Sequence, residues 1–271
     1  VEIDVDAICD GDDVFIGSIM EHVEEAGVHS GDSACIIPPI SISDSMIEKI
    51  EKTTEALAKE LEVMGLLNIQ FAIKESLLYV IEVNPRASRT VPFVSKTIGV
   101  PLAKVAVKVM LGRKLKEFGL TKRKELSYIS VKEAVLPFNK FPGVDTLLSP
   151  EMKSTGEVMG ISNDFGESFY KAALAAGDRL PISGTVFLSI NRRSKEELLN
   201  EVKQLYENGF RLVATEGTAK FYNDHGIECE RIYKVSEGRP NIVDLVKNEE
   251  VDLIINTPTG KMSKDDAFTI R

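Results

Sequence analysis

Apolar and acidic residues alternate at the head of the chain. In Val1-Glu2-Ile3-Asp4-Val5-Asp6-Ala7-Ile8 the period is two, which predicts a strand with one solvated or ligand-facing edge. Gly11-Asp12-Asp13 makes a turn, and residues 14–20 form a second strand. From Ser43 the period changes. Met46, Ile47, Ile50, Leu57, Leu61 and Met64 keep helical spacing, Ser43 can cap the helix, acids crowd its first turn and Gly65 ends it. Two apolar runs follow, residues 66–73 and 77–83, around the polar break Lys74-Glu75-Ser76. Their length and β-branched content predict two antiparallel strands. Residues 91–98 and 102–111 read as helices, the second with Pro101 at its start. Residues 128–138 read as a strand with Glu133 inside it.

A segment of turn composition and no period, Gly177-Asp178-Arg179-Leu180-Pro181, predicts a boundary between a domain over residues 1–177 and another over 178–271. Beyond it the rhythm differs. Strands are expected at residues 185–190, 210–214 and 251–255, an extended segment at 228–234, and helices from Ser194 (as cap) to Tyr206, from Thr215 onward, and over 242–247. Strands alternating with helices at short spacing predict a doubly wound parallel sheet. In such sheets ligands bind at the carboxyl ends of strands. Two such ends carry Thr215-Glu216-Gly217-Thr218 and Asn256-Thr257-Pro258-Thr259-Gly260. Hydroxyls and helix-start amides there suit a phosphate, and ordinary helix capping explains the same residues.

Charge and cysteine content narrow the class. A formal net charge of -9 over 271 residues argues against nucleic acid or an anionic membrane as partner. Cys9, Cys35 and Cys229 are far apart, odd in number and lack metal spacing, so they are expected to be reduced thiols in a cytoplasmic protein. No membrane span or signal peptide is expected. The first residues are strand-like and lack an initiator Met, so a piece of a longer protein is expected.

The candidate chemistry gathers after the second apolar run. Along a regular strand Leu78, Val80, Glu82 and Asn84 share one face. With a loop over residues 75–77, Gln70 lies opposite Glu82 on that face. Pro85 turns the chain outward, and Arg86 and Arg89 follow at once. Oxygen ligands beside guanidinium groups suit a hard divalent cation bound to phosphates. A surface pair of Glu82 with Arg86, worth ~0–1 kcal/mol, is the plainer alternative. Convergence of Gln70, Glu82 and Asn84 ahead of two arginines favours the metal–nucleotide site.

Gln70, Glu82 and the run Glu82-Val83-Asn84-Pro85-Arg86 resemble the metal-binding signature of the ATP-grasp superfamily. The longer string Ile81-Glu82-Val83-Asn84-Pro85-Arg86-Ala87-Ser88-Arg89-Thr90-Val91-Pro92-Phe93-Val94-Ser95-Lys96 is similar to the carbamoyl-phosphate synthetase large-subunit family, in its second ATP-grasp half, and the similarity continues to the last residue. The resemblance implies an α/β chain: the C-terminal part of an ATP-grasp domain, with an antiparallel sheet and helices, then a methylglyoxal-synthase-like parallel-sheet domain, truncated at its C-terminus.

It also implies a ligase fragment. The intact subunit would make carbamoyl phosphate from bicarbonate, ammonia (from glutamine) and ATP, this half phosphorylating carbamate. Gln70, Glu82 and Asn84 would hold Mg²⁺ or Mn²⁺ and, through it, the nucleotide; K⁺ is a further cation the resemblance allows. Arg86 and Arg89 would stabilise the transferred phosphoryl group and the carbamate. Glu2 would hold the ribose hydroxyls, and Gly27, Val28, His29 and Ser30 would line the loop that wraps the nucleotide. Without the resemblance, Glu2 is one acid on a wet strand face and His29 a structural hydrogen-bonder. Glu24, Asp32 and Glu133 match positions near an amine effector, ornithine. Lys195, Thr215, Thr218, Lys234 and Asn256 match positions that bind UMP or IMP, while Pro258 stands where a hydroxyl residue is used. The implied partners are the rest of the large subunit and a glutaminase small subunit. The glycine-rich phosphate flap and the first ATP-grasp half are not in the chain, so the fragment alone is expected to be inactive. The domain over residues 185–271 argues against another ATP-grasp ligase such as a biotin carboxylase, and a purely regulatory binding module is the remaining alternative.

Overall fold

The computed structural model describes residues 1–141, 144–235 and 237–257. Pro258, and with it the end of one expected phosphate loop, lies outside the described residues. The chain divides into two compact units that separate between Arg179 and Leu180, apart from a short piece at residues 144–146 that groups with the second.

The first unit contains β1 (Glu2–Asp10), β2 (Val14–His22), β3 (Cys35–Ile37), α1 (Asp44–Glu60), β4 (Met64–Lys74), β5 (Leu77–Asn84), α2 (Val91–Ile98), α3 (Leu102–Met110), β6 (Ile129–Val135), β7 (Gly156–Ser162) and α4 (Phe165–Ala176). Its seven strands form one sheet in the order β5-β4-β1-β2-β3-β6-β7, every neighbouring pair antiparallel. Helices cover both faces. On one face Ile3, Val5, Ile19, Ile69 and Phe71 pack with Ile50 and Ala58 of α1. On the other, Ile8, Phe15 and Met20 pack with Val94 of α2 and Leu102 and Val109 of α3. At the far edge α4 lies so close to β7 that a Cβ on Gly160 would collide with the backbone of Ser168 and Ala172.

Three local expectations change. Of the two readings of the acidic edge of β1, solvated or ligand-facing, the solvated one does not hold. Asp4, Asp6 and Asp10 are each 1% exposed, because β1 is an interior strand paired on both sides and its carboxylates are taken up by hydrogen bonds. Helix α1 stops at Glu60, and Gly65 is the second residue of β4, at φ +110°. Leu61 and Met64 are therefore outside the apolar stripe, at 51% and 48% exposure. The strand expected over 128–138 ends at Val135.

The hairpin forms by a different route from the one expected. Its loop has two residues, Glu75 (φ 51°) and Ser76 (φ 63°), and Lys74 pairs with Leu77. Positive φ at both central positions is the type I′ geometry that matches strand twist. Phe71 then pairs with Val80, but Gln70 pairs with Glu82, leaving Ile81 as a bulge. Paired residues share a face, so Leu78 and Val80 lie opposite to Glu82 and Asn84 rather than with them.

The second unit contains β8 (Thr185–Ser189), α5 (Ser194–Glu197), α6 (Leu199–Glu207), β9 (Arg211–Thr215), α7 (Glu216–Asp224), β10 (Glu230–Ile232), α8 (Ile242–Lys247) and β11 (Leu253–Asn256). The strands are all parallel, in the order β10-β9-β8-β11. Val186, Leu188, Leu212 and Tyr222 pack on one side, and Phe187, Val213, Ile242 and Leu245 on the other, as a doubly wound sheet requires. Ser194 is not the cap expected of it. Asn191 Oδ1 accepts from the amides of Arg193 and Ser194 at 3.0 and 3.1 Å, and the helix is broken at Leu198. Cys9, Cys35 and Cys229 are buried free thiols. Among the described residues no helix is long and apolar enough to cross a membrane.

The hairpin turn yields a stability prediction. Glu75 and Ser76 occupy left-handed conformations that Asn and Gly adopt at lower cost. Glu75→Asn combined with Ser76→Gly is expected to stabilise the chain by about 0.5–1 kcal/mol, read as a raised urea midpoint with an unchanged slope. A lowered midpoint would contradict the turn geometry.

Candidate functional site

The bulge sets four polar side chains on one face at the end of the hairpin, with Asn68 paired to Asn84 and Gln70 to Glu82. Asn84 Nδ2 donates to Glu82 Oε1 at 2.8 Å, and Gln70 Nε2 donates to Ser30 Oγ at 2.8 Å. Past Asn84 the chain turns at once, the Arg86 amide donating to the Asn84 carbonyl at 2.8 Å. The Arg86 guanidinium is exposed, donates to the Ala87 carbonyl, and has no ion-pair partner among the described residues. Arg89 reaches Ser154 Oγ at 3.3 Å and lies 3.7 Å from Glu157. A cavity of about 230 Å³ is lined by Gln70, Arg86, Arg89, His29 and Ser30 together with Asp4, Asn68, Ser88, Thr90 and Glu157. Glu82, Asn84 and Glu2 are not among its lining residues.

The loop over residues 24–33 is fixed by many short bonds. Gly27, at φ +107°, donates its amide to Glu2 Oε1 at 3.1 Å, and Val28 bridges to Ala26. His22 beside Glu2 holds that carboxyl below the usual carboxylate range, against the opposing effect of partial burial. His29 Nδ1 accepts from the Gly31 amide at 3.0 Å, and the buried Lys132 donates to the Ser30 carbonyl at 3.3 Å. Asp32 is buried, with its two oxygens accepting from the amides of Lys153 and Ser154 at 2.7 and 2.8 Å. Glu24 accepts from the Ala34 amide at 2.7 Å. Burial raises the pKa of both Glu24 and Glu133, and for Glu133 the charge of Glu24 adds to the rise.

Asp4 and Asp6 of β1 do not stand out in the sequence as site residues. Asp6 accepts from Thr90 Oγ1 at 2.6 Å, Ser88 Oγ at 2.7 Å and Asn68 Nδ2 at 3.0 Å. Burial pushes its carboxyl up to about 6 despite these three donors. His22 lies 3.1 Å from Asp4 and 3.6 Å from Glu2. Burial opposes its charge, but Cys35, Asp4 and Glu2 outweigh that and push the ring up to about 12. Alternation in β1 is the available signal, since two inward acids on an interior strand need partners; the partners come from remote stretches.

In the second unit the matched residues gather at the carboxyl ends of the strands. Asn256 pairs with Ser189, Thr215 with Ile232, and Lys234 lies two residues further on. Lys195 Nζ donates to the Gly217 carbonyl at 2.6 Å, and burial, then Arg192, lowers its pKa. Thr215 is the N-cap residue of α7 without a side-chain cap bond. Thr218 is not a cap: its buried hydroxyl donates to the Ile190 carbonyl and accepts from the Ile190 amide, at 3.2 and 3.3 Å. Lys234 is paired with Glu237 at 2.7 Å.

The donor set limits the kind of metal that fits. No group of three or more His, Cys, Asp or Glu suited to a metal occurs among the described residues. One carboxylate with two amide oxygens, Glu82 with Asn84 and Gln70, suits a cation that keeps other ligands from phosphates, as Mg²⁺ does.

Residues 1–118 match the family described as carbamoyl-phosphate synthase L chain, ATP binding domain, and residues 197–271 match the MGS-like domain. The whole chain is 56% identical to part of the carbamoyl phosphate synthase large chain of Archaeoglobus fulgidus and spans 25% of its length. It is 53% identical to the carbamoyl phosphate synthase large chain, C-terminal section, of Aquifex aeolicus, spanning 53% of it. A Methanosarcina barkeri sequence named carbamoyl phosphate synthase large chain is also 53% identical, and the chain spans 68% of it.

Asp6 gives the site a pH signature. Its folded pKa lies above the ordinary 3.8, at about 6, so the folded state holds the proton more tightly and stability contributed by this group falls as pH rises through that window. Asn does not titrate. Between pH 4.5 and 7 the stability difference is therefore expected to move in favour of Asp6→Asn by about 2 kcal/mol, at about 1.4 kcal/mol per pKa unit. Paired urea titrations at the two pH values check it; a difference that stays constant, or moves the other way, contradicts the buried anion.

Proposed function

This chain belongs to the carbamoyl phosphate synthase large-chain family, and from that premise we propose that, within a longer subunit, its first unit phosphorylates carbamate with ATP and its second unit senses a nucleotide. We take residues 1–177 as the ATP-grasp part and 178–271 as the methylglyoxal-synthase-like part. One observation supports the catalytic reading above the others. Gln70 faces Glu82, Asn84 follows on the same face, and Arg86 and Arg89 leave that strand end beside a cavity lined by His29 and Ser30.

In this reading Gln70, Glu82 and Asn84 hold Mg²⁺ or Mn²⁺, and K⁺ is an accompanying cation. The divalent ion would supply positive charge that offsets the charge of the phosphates during transfer. A carbamate oxygen forms the new bond to the γ-phosphorus as the bond to ADP breaks, and no proton moves at phosphorus. Little covalent work is left for the protein, so positioning and charge stabilisation dominate. Arg86, exposed and outside any ion pair among the described residues, serves the transferred phosphoryl group. Arg89, held against Ser154 and Glu157, serves the carbamate. Glu2 and the Gly27, Val28, His29 and Ser30 loop hold ribose and base.

For the second unit we propose UMP or IMP as ligand, with Lys195, Thr215, Lys234 and Asn256 around its phosphate and Thr218 supporting that end of the sheet. Glu24, Asp32 and Glu133 belong to an amine effector site such as one for ornithine, in which Asp32 acts through the backbone of residues 153–154 that it holds. The proposed partners are the rest of the large subunit and a glutaminase small subunit, in the cytoplasm.

The metal assignment predicts that, in the whole subunit, Glu82→Gln abolishes ATP synthesis from carbamoyl phosphate and ADP while leaving the fold intact. Near-normal turnover would remove Glu82 from the site. Arg86→Lys is expected to lower that rate about tenfold or more, because an ammonium loses the fork that grips two phosphate oxygens. Unchanged turnover would make Arg86 a bystander.

A further inference from the structure

The segment that carries Arg86 and Arg89 leaves β5, the edge strand of the seven-stranded sheet, and ends where α2 begins. An edge strand has a neighbour on one side only, and a turn hanging from it is poorly placed to hold two guanidinium groups to a fraction of an ångström. The structure supplies a second anchor. We propose that Asp6 is a positioning residue for the phosphoryl-transfer site, binding the Ser88–Thr90 end of the arginine segment to the interior of the sheet. The proposal rests on the carbamate-phosphorylating reading for its catalytic consequence but not for the anchoring itself.

Four observations support it. Asp6 belongs to β1, which is paired on both sides near the middle of the sheet. Both of its oxygens reach the segment. Oδ2 accepts from Thr90 at 2.6 Å, and Oδ1 accepts from Ser88 at 2.7 Å and from Asn68 at 3.0 Å. The bonds to Ser88 and Thr90 span 82 and 84 residues of chain and end on the two positions that flank Arg89, and short bonds to a carboxylate are the strong kind. Second, Thr90 sits at the N-cap of α2, where a hydroxyl ordinarily accepts from the helix's own amides. Here it makes no such cap bond and is spent on Asp6 instead. Third, the Ser88 and Thr90 oxygens lie 2.8 Å apart, so the two hydroxyls, each giving its single proton to Asp6, form one compact cluster with the carboxylate at the positions just before and just after Arg89. Fourth, Asn68 joins Asp6 to the face of β4 that carries Gln70 and pairs with Asn84. One buried carboxylate thus refers the arginine segment and the polar face of the hairpin to a common frame. Ordinary core packing does not account for this, because a buried acid costs stability unless it is hydrogen-bonded or paired.

The test uses the whole subunit carrying Asp6→Asn, Thr90→Val or Thr90→Ser, the last keeping the hydroxyl. Backbone hydrogen exchange of residues 86–90 is expected to speed up about tenfold or more in Asp6→Asn and Thr90→Val, and to stay near wild type in Thr90→Ser. Unchanged exchange in the first two variants overturns the anchoring. In ATP synthesis from carbamoyl phosphate and ADP, kcat is expected to fall about tenfold with KM for ADP within about twofold. The same substitutions made on top of Arg86→Ala combined with Arg89→Ala are expected to add almost nothing, since the misplaced groups are already gone. Losses that multiply in the combined variants, or a fall in kcat that matches a fall in folded fraction, overturn positioning in favour of a purely structural acid. A wild-type subunit that fails to make ATP would overturn the assigned reaction, while the exchange measurements still decide the anchoring.

Discussion

Glu82 faces the same side of the sheet as Gln70 and Asn84 because one residue, Ile81, is left unpaired. A two-residue turn at Glu75 and Ser76, continued without interruption, would set Gln70 against Ile81 and Asn68 against Val83. Glu82 would then turn toward the core face, where Val83 in fact packs. The bulge moves the strand by one position, and with period-two geometry one position exchanges the two faces. It comes at low cost at this place, since β5 is an edge strand and Ile81 remains half exposed. The oxygen donors of the hairpin and the arginines beyond it follow from that one irregularity.

The second constraint is electrostatic. β1 turns Asp4 and Asp6 to the face opposite Ile3, Val5 and Ala7, and its interior position withdraws both acids from water. A carboxylate so withdrawn requires donors or counter-charges. Asp4 meets His22, and Asp6 meets Asn68, Ser88 and Thr90. These bonds join β1 to β2, to β4 and to the start of α2. Glu2 and Lys132 extend the same polar layer to the Gly27–Ser30 loop. The side of the sheet that faces the cavity is therefore held by charge and hydrogen bonds as well as by packing against α2 and α3, and the opposite side by apolar packing against α1.

Much of this is legible in the chain itself. Apolar runs around Lys74-Glu75-Ser76 mark the hairpin, and short alternating strands and helices mark the parallel sheet of the second unit. The Gln70–Glu82 pairing is as expected, though from a two-residue turn and a bulge rather than a three-residue loop, because positive φ at Glu75 and Ser76 leaves no mark on residue type. Alternation in β1 reads as a solvated or ligand-facing edge; the acids are dry because strands remote in sequence pair on both sides of β1, which no local window contains. Thr218 illustrates the same limit, its hydroxyl serving the Ile190 backbone and not its own helix. Asp6, Ser88 and Thr90 escape a sequence reading for that reason, as common residues that acquire meaning only when β1 and the start of α2 meet.

The most direct measurement of the metal–nucleotide site is a crystal structure of the whole subunit grown with ADP and Mn²⁺, the metal located by its anomalous scattering. A manganese peak is expected within bonding distance of the side-chain oxygens of Glu82 and Asn84, close to Gln70, with ADP phosphates completing its shell and the Arg86 guanidinium turned toward them. Manganese bound elsewhere on the first unit, with Glu82 and Asn84 left in water, would contradict the site.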